Sequence, residues 1–117
     1  MTEITTNRLV LRKAITETEK NSLVSLLNDW DVARWLTNVP YPYTYNDLED
    51  YLLISGSNEL DLNIFINDQI IGRVGLTYDK EDNYYDLGYF LGKDFWSKGY
   101  ATEASESLLN YALDNLD

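Results

Sequence analysis

An α+β fold, with a mixed but mostly antiparallel sheet and flanking helices, is predicted by three features of the 117-residue chain. Leu60, Leu62, Ile64 and Ile66 alternate with Asp61, Asn63 and Phe65, the period of a strand. Short polar turns at Asn67-Asp68-Gln69 and Asp79 to Asn83 then join successive apolar runs, so the strands return on themselves and pair antiparallel. Segments with apolar residues at three-to-four spacing lie before and after this meander.

The elements follow in order. Thr6-Asn7-Arg8 leads into a first strand, Leu9 to Lys13, with Leu9 and Leu11 on one face. Thr16 or Thr18 caps a helix whose apolar face is Leu23, Leu26, Leu27 and Trp30. A short second helix carries Val32, Trp35 and Leu36, and Asn38 to Pro42 ends it because its prolines restrict themselves and their predecessors. Thr44 with Asp47 resembles a capping box and starts a third helix bearing Leu48, Tyr51 and Leu52. Leu60 to Ile66, Ile70 to Tyr78 and Tyr84 to Leu91 are the meander, with Gly72 and Gly75 marking a bulge or a close backbone neighbour. A loop through Gly99 opens the last helix, whose buried stripe is Ala101, Ala104, Leu108, Ala112 and Leu116. No linker or repeat interrupts this order, so residues 1–117 read as one domain.

Composition excludes several classes of chemistry. Hydrophobic residues make up 44%, enough for a core, and the net charge is -11. Nine basic residues, scattered, do not make a phosphate-backbone surface, so nucleic acid is not an expected partner. No apolar run approaches the ~18 residues of a membrane span. The chain has no cysteine and no histidine, hence no disulfide, thiolate site or imidazole base, and no metal is expected. The lack of cysteine fits a cytoplasmic setting. The acidity reads as solubility or as attraction for a cationic amine.

The segment from Trp96 to Thr102 lies between a strand and a helix, where free N–H groups and the helix dipole suit a phosphate. Gly99 allows a tight turn, Ala101 keeps the first helical turn small, and Lys98 adds positive charge. Taken alone the loop is equally an ordinary strand-to-helix turn. Its surroundings, Asp86-Leu87-Gly88-Tyr89-Phe90-Leu91 and then Asp94-Phe95-Trp96-Ser97-Lys98-Gly99-Tyr100-Ala101-Thr102-Glu103-Ala104, closely resemble motif A of the GNAT N-acetyltransferases. Within that superfamily they look like the RimJ/RimL-like group. Thr6 to Arg12 is similar to that group's opening strand, and Pro40-Tyr41-Pro42-Tyr43-Thr44 to its substrate-side loop. Trp96 stands where Gln or Arg is usual, and Ser97 replaces a common glycine, which limits freedom at positive φ.

The resemblance implies transfer of an acetyl group from acetyl-CoA to a primary amine, of a peptide or a small molecule. It implies that Tyr89, Phe90 and Leu91 bond the acetyl and pantetheine groups, and that Trp96, Ser97, Lys98, Gly99, Tyr100, Ala101 and Thr102 hold the pyrophosphate. Asp86 takes the place of the group's Glu as base, directly or through water; otherwise it is a solvated carboxylate or a partner for Arg73. Trp35, Tyr41 and Tyr43 line the acceptor site or simply pack between helices and sheet. Glu103 is given a structural role. In the family the fold continues past this helix, so the chain to Asp117 corresponds to its N-terminal portion. The last strand's outer edge is then expected to pair in a homo-oligomer or with a missing C-terminal segment. The competing readings are a CoA-binding or interaction module without turnover and an inactive fragment of a longer acetyltransferase.

Overall fold

The computed structural model describes residues 2–36, 39–56 and 58–115. A five-stranded sheet runs in the order β1-β2-β3-β4-β5, and every neighbouring pair is antiparallel. The strands are β1 (Glu3–Thr5), β2 (Val10–Arg12), β3 (Asp61–Ile66), β4 (Gln69–Asp79) and β5 (Tyr84–Leu91). Helices α1 (Glu17–Leu27), α2 (Trp30–Ala33) and α3 (Tyr45–Ser55) lie between β2 and β3, and α4 (Tyr100–Asn115) follows β5. No helix among the described residues is long and apolar enough to cross a membrane.

Local chemistry sets the helix ends. Thr16, not Thr18, caps α1 through a full capping box with Glu19, and Thr44 caps α3 in the same way with Asp47. Asn28 ends α1, and Asp29 accepts from the Asp31 N–H to restart the chain as α2. Trp30 therefore leaves the α1 stripe and stands exposed in α2. At the β3–β4 hairpin, Asn67 and Asp68 take φ of 48° and 65°, as a tight two-residue turn requires. The strand at Glu3–Thr5 is too short to show periodicity in the sequence; its pairing with Val10–Arg12 defines it. Asn38 and Leu116 lie outside the described residues.

The sheet is covered on both faces. On one, Leu62, Ile64, Val74 and Leu76 pack under Ala104 and Leu108 of α4. On the other, Phe65 and Ile70 pack against Leu23, Leu27 and Leu48 of α1 and α3. Burying each large aliphatic side chain contributes roughly 2 kcal/mol. Asp61 and Asn63, which alternation marks as a polar strand face, are buried beneath α3. Their polarity is matched there: Arg73 Nη1 donates to Asn63 Oδ1 at 2.7 Å, and the Tyr51 hydroxyl donates to Asp61 Oδ2 at 2.6 Å. Lys13 Nζ donates to the carbonyls of Ser55, Asn58 and Asp61 at 3.1, 2.8 and 3.0 Å, tying the end of α3 to the start of β3. Burial lowers the Lys13 pKa, with Asp61 opposing and Arg73 adding to the effect.

Candidate active site

The C-terminal half of β5 separates two hollows. A cleft of about 570 Å³ is lined by Tyr89, Phe90 and Leu91 of β5, by Trp96, Ser97, Gly99, Tyr100, Ala101 and Thr102, and by Trp35. A cavity of about 310 Å³ lies between β4–β5 and α1–α3, bordered by Asp86, Thr77 and Gly88, with Asp61, Arg73 and Tyr43 deeper. Leu36, Tyr89 and Phe90 line both, so the hollows meet at β5.

The loop before α4 is shaped as an anion cradle. Ser97 and Gly99 have φ of 62° and 81°, and such alternation turns successive N–H groups toward one side. No backbone N–H from Ser97 to Thr102 has an acceptor among the described residues; the Glu103 N–H is the first to bond, to the Gly99 carbonyl at 3.0 Å. These free donors, at the positive end of a long helix, are what a pyrophosphate needs, so the residues present fit the phosphate part of CoA. A Cβ on Gly99 would come 3.3 Å from Arg8 Nη2. The missing side chain thus clears Arg8, and positive φ is the stronger reason for glycine.

Sequence reading missed what holds this loop. Glu103 accepts from Thr6 Oγ1 at 2.5 Å, the Arg8 N–H at 2.8 Å and Arg8 Nε at 2.7 Å. Arg8 Nη1 continues to the Lys98 carbonyl at 2.9 Å, and its guanidinium lies 4.5 Å from the Tyr100 ring centre. The β1–β2 turn therefore bolts the cradle from behind. Trp96 fixes the other side, its Nε1–H donating to the Leu91 carbonyl at 2.9 Å.

Burial alone raises the Glu103 pKa, but the bonds from Thr6 and Arg8 outweigh it and leave it below 4.5. A lowered carboxyl pKa stabilises the fold above the unfolded value, and the benefit is lost as pH falls through the folded one. Glu103→Gln is therefore expected to flatten the fall of Tm below about pH 4.5. It is also expected to weaken CoA binding several-fold by loosening the loop. Thermal melts across pH, with calorimetric titration of CoA, check both effects.

β5 runs along the sheet edge. The Gly92 N–H donates to the Ile71 carbonyl at 2.8 Å, which sets the phase of the β4–β5 ladder. By the alternation of an antiparallel pair, Phe90 directs its backbone groups into the ladder, while Tyr89 and Leu91 direct theirs to the open edge. The Leu91 carbonyl is taken by Trp96. The N–H groups of Tyr89 and Leu91 thus face outward, and the backbone groups of Phe90 do not.

Asp86 is exposed at the cavity border, opposite Thr77. It is not the partner of Arg73, whose Nη2 lies 2.9 Å from Asp61 Oδ1. Of the acceptor-side aromatics, Tyr43 is buried in the cavity wall. Asn28 holds it there, accepting from the Tyr43 N–H and donating to its carbonyl, both at 2.6 Å. Trp35, 70% exposed, lines the cleft instead. Tyr41 lines neither hollow and packs on Trp30, ring centres 5.1 Å apart. Lys98 also lies outside the cleft wall, though its carbonyl is the anchor for Arg8. No His/Cys/Asp/Glu group among the described residues could hold a metal ion.

The chain is similar in sequence and fold to known proteins. An N-acetyltransferase of Bacillus licheniformis, p20, itself uncharacterized, is 27% identical over 124 residues, spanning 100% of this chain and 69% of that protein. A GNAT-family acetyltransferase from Bacillus anthracis superposes with a TM-score of 0.80 at 18% identity, over 97% of this chain and 68% of the other. RimL, a ribosomal L7/L12 α-N-protein acetyltransferase solved in complex with coenzyme A, superposes with a TM-score of 0.72 at 16% identity, over 95% and 67%. At that identity the superpositions speak to the fold alone. The acetyltransferase (GNAT) domain profile matches residues 8–117, from the turn that anchors the cradle through the helix that forms it, and the chain belongs to the GNAT acetyltransferase family.

Proposed function

We propose that the chain binds acetyl-CoA in the cleft and catalyses acetyl transfer to a primary amine held in the cavity. One observation carries the reading: the cleft with its free amides and the cavity with its carboxylate meet at Tyr89 and Phe90. The amides from Ser97 to Thr102 hold the pyrophosphate, and the open edge at Tyr89 and Leu91 binds the pantetheine arm. When bound, acetyl-CoA supplies an activated acyl thioester. The outward N–H groups of β5 would be the donors that stabilise negative charge developing on the acyl oxygen, the main electrostatic contribution. Holding two reactants on either side of one strand supplies the orientation.

An amine must be neutral to attack. Asp86 is the carboxylate at the cavity border, and its short, exposed side chain takes the proton through water. Asp86→Asn is expected to lower kcat by about 100-fold while leaving CoA affinity unchanged. Release of free CoA thiol from acetyl-CoA, measured with N-terminal peptides and simple amines, tests this. An unchanged kcat removes Asp86 from the mechanism.

The RimJ/RimL-like assignment, with a peptide amino terminus as one form of acceptor, rests on the motif resemblance and the fold shared with RimL. A cytoplasmic location belongs to the same reading, as does pairing of the open β5 edge, with a second copy or with further chain. Binding without turnover is the second reading. It is favoured by the lack of any hydrogen-bond or ion-pair partner orienting Asp86 among the described residues. Bound CoA with no thiol release for any amine would establish it.

A further inference from the structure

The cavity beside Asp86 also carries information about the acceptor. Its walls are the apolar groups of the helix-side core, chiefly Leu23, Leu27, Leu48 and the ring of Phe90. At about 310 Å³ it is small, near the lower end of the ~300–1,000 Å³ of small-ligand sites, room for one side chain of moderate size. Three charged groups line it: Asp61, Arg73 and Asp86.

Those charges are unequally free. Arg73 is 5% exposed, and its charge is paired with that of Asp61. Nη1 donates to Asn63 Oδ1, and Nη2 sits 2.9 Å from Asp61 Oδ1, an ion-pair distance without an aligned hydrogen bond. The other oxygen of Asp61 accepts from the Tyr51 hydroxyl. Burial, and then Asp61, push the Tyr51 phenol up to about 12, so it stays a donor to that carboxylate across the working pH range. The buried pair is thus closed on itself, and Arg73 is the one cation among the described residues lining the cavity. Asp86 is left over as a carboxylate without a partner among the described residues. The surplus in the cavity is negative, and the charge of Arg73 is already matched by Asp61.

We propose that this cavity selects a primary amine borne on an uncharged, apolar body, and discriminates against amines that carry a carboxylate beside the amino group. The inference rests on the acetyl-transfer reading above and narrows its acceptor. An ammonium group at the border meets Asp86 and is neutralised there as its proton leaves. The apolar body displaces water from the Leu23–Leu27–Leu48 wall. The α-carboxylate of a free amino acid would enter apolar surroundings near two carboxylates, with Arg73 already ion-paired to one of them. The same group masked as an amide or a peptide bond carries no such penalty. A polyamine fails differently: Asp61 is already paired with Arg73, so a second ammonium would meet that guanidinium among apolar walls.

The test compares phenethylamine, L-phenylalaninamide, L-phenylalanine and spermidine by thiol release, with calorimetric binding of the same amines in the presence of CoA. Phenethylamine and L-phenylalaninamide are expected to exceed L-phenylalanine and spermidine by at least about tenfold in kcat/KM. Turnover of L-phenylalanine or spermidine as good as that of phenethylamine overturns the proposal and leaves acetyl transfer standing. Absence of thiol release with every amine overturns the acetyl-transfer reading. The binding series then decides the cavity by itself: phenethylamine tighter than L-phenylalanine supports the selectivity, and equal or reversed affinities refute it. Asp61→Asn releases Arg73 from its partner and is expected to narrow the preference for the amide over the free acid by about tenfold. A preference unchanged in a folded Asp61→Asn protein overturns the charge argument. Should that variant fail to fold, the wild-type series stands as the test.

Discussion

Gly99→Val is expected to abolish measurable CoA binding, an affinity loss of at least about 100-fold, while the protein stays folded. Gly99 sits at φ 81°, in the left-handed region. There an L-residue costs roughly 1–2 kcal/mol, and a β-branched one more. The added Cβ would also press on Nη2 of Arg8 at 3.3 Å, the guanidinium whose Nε bonds Glu103 and whose Nη1 bonds the Lys98 carbonyl. Both strains are relieved by the same movement, rotation of the loop out of the left-handed region. That movement turns the amides from Ser97 to Thr102 away from their common focus. The helix core at Ala104 and Leu108 lies further along α4 and remains packed on the sheet. Calorimetric titration with CoA and a thermal melt separate the two effects. Unaltered affinity in a folded variant would show that the pyrophosphate sits elsewhere. Ser97→Gly is the opposing control. Ser97 already holds φ 62°, so glycine removes strain there, and affinity is expected to hold or rise a few-fold.

The loop was legible in the sequence because its requirements are local. A glycine after a strand, small residues in the first helical turn and an aromatic at the entrance all lie within a few positions. The caps at Thr16 and Thr44 were legible for the same reason: side chain and amide are three residues apart. What stayed hidden depends on distance in sequence. Thr6 and Arg8 meet Glu103 across 97 and 95 positions, so Glu103 reads only as an acidic first-turn residue. Asp61 and Asn63 follow the pattern of a solvated strand face, because alternation reports polarity and says nothing about whether α3 supplies partners. Trp35 and Tyr41 show why aromatic composition is a weak guide to a site. Their nearness in sequence suggests one acceptor wall, whereas Trp35, just past α2, lines the cleft and Tyr41 packs on Trp30.

The largest loss of stability is expected at Gly72. A Cβ built there would lie 2.1 Å from the Phe90 carbonyl oxygen and 3.0 Å from both the Phe90 carbonyl carbon and the Leu91 Cα. All three are backbone atoms, so no rotamer change relieves the overlap. Register slips between Ile64 and Phe65 on the other side of β4, where Gly72 faces Ile64, so the strand is hemmed in on both flanks at this point. Only separation of β4 from β5 makes room, and β5 is the wall shared by the cleft and the cavity. Gly72→Ala is therefore expected to cost about 3 kcal/mol or more, a fall in Tm of roughly 10–20 °C for a chain of this size. CoA binding should fail in step with it, because the outward N–H groups of Tyr89 and Leu91 move with the strand. Gly88→Ala provides the comparison on the same hairpin. Nothing lies within 4 Å of a Cβ there, so its Tm should stay near wild type. Gly88 borders the cavity, so that variant perturbs amine turnover without loss of fold. If Gly72→Ala melts no lower than Gly88→Ala, the close approach of β4 to β5 at Phe90 is absent in solution, and the placement of both hollows around that strand fails with it.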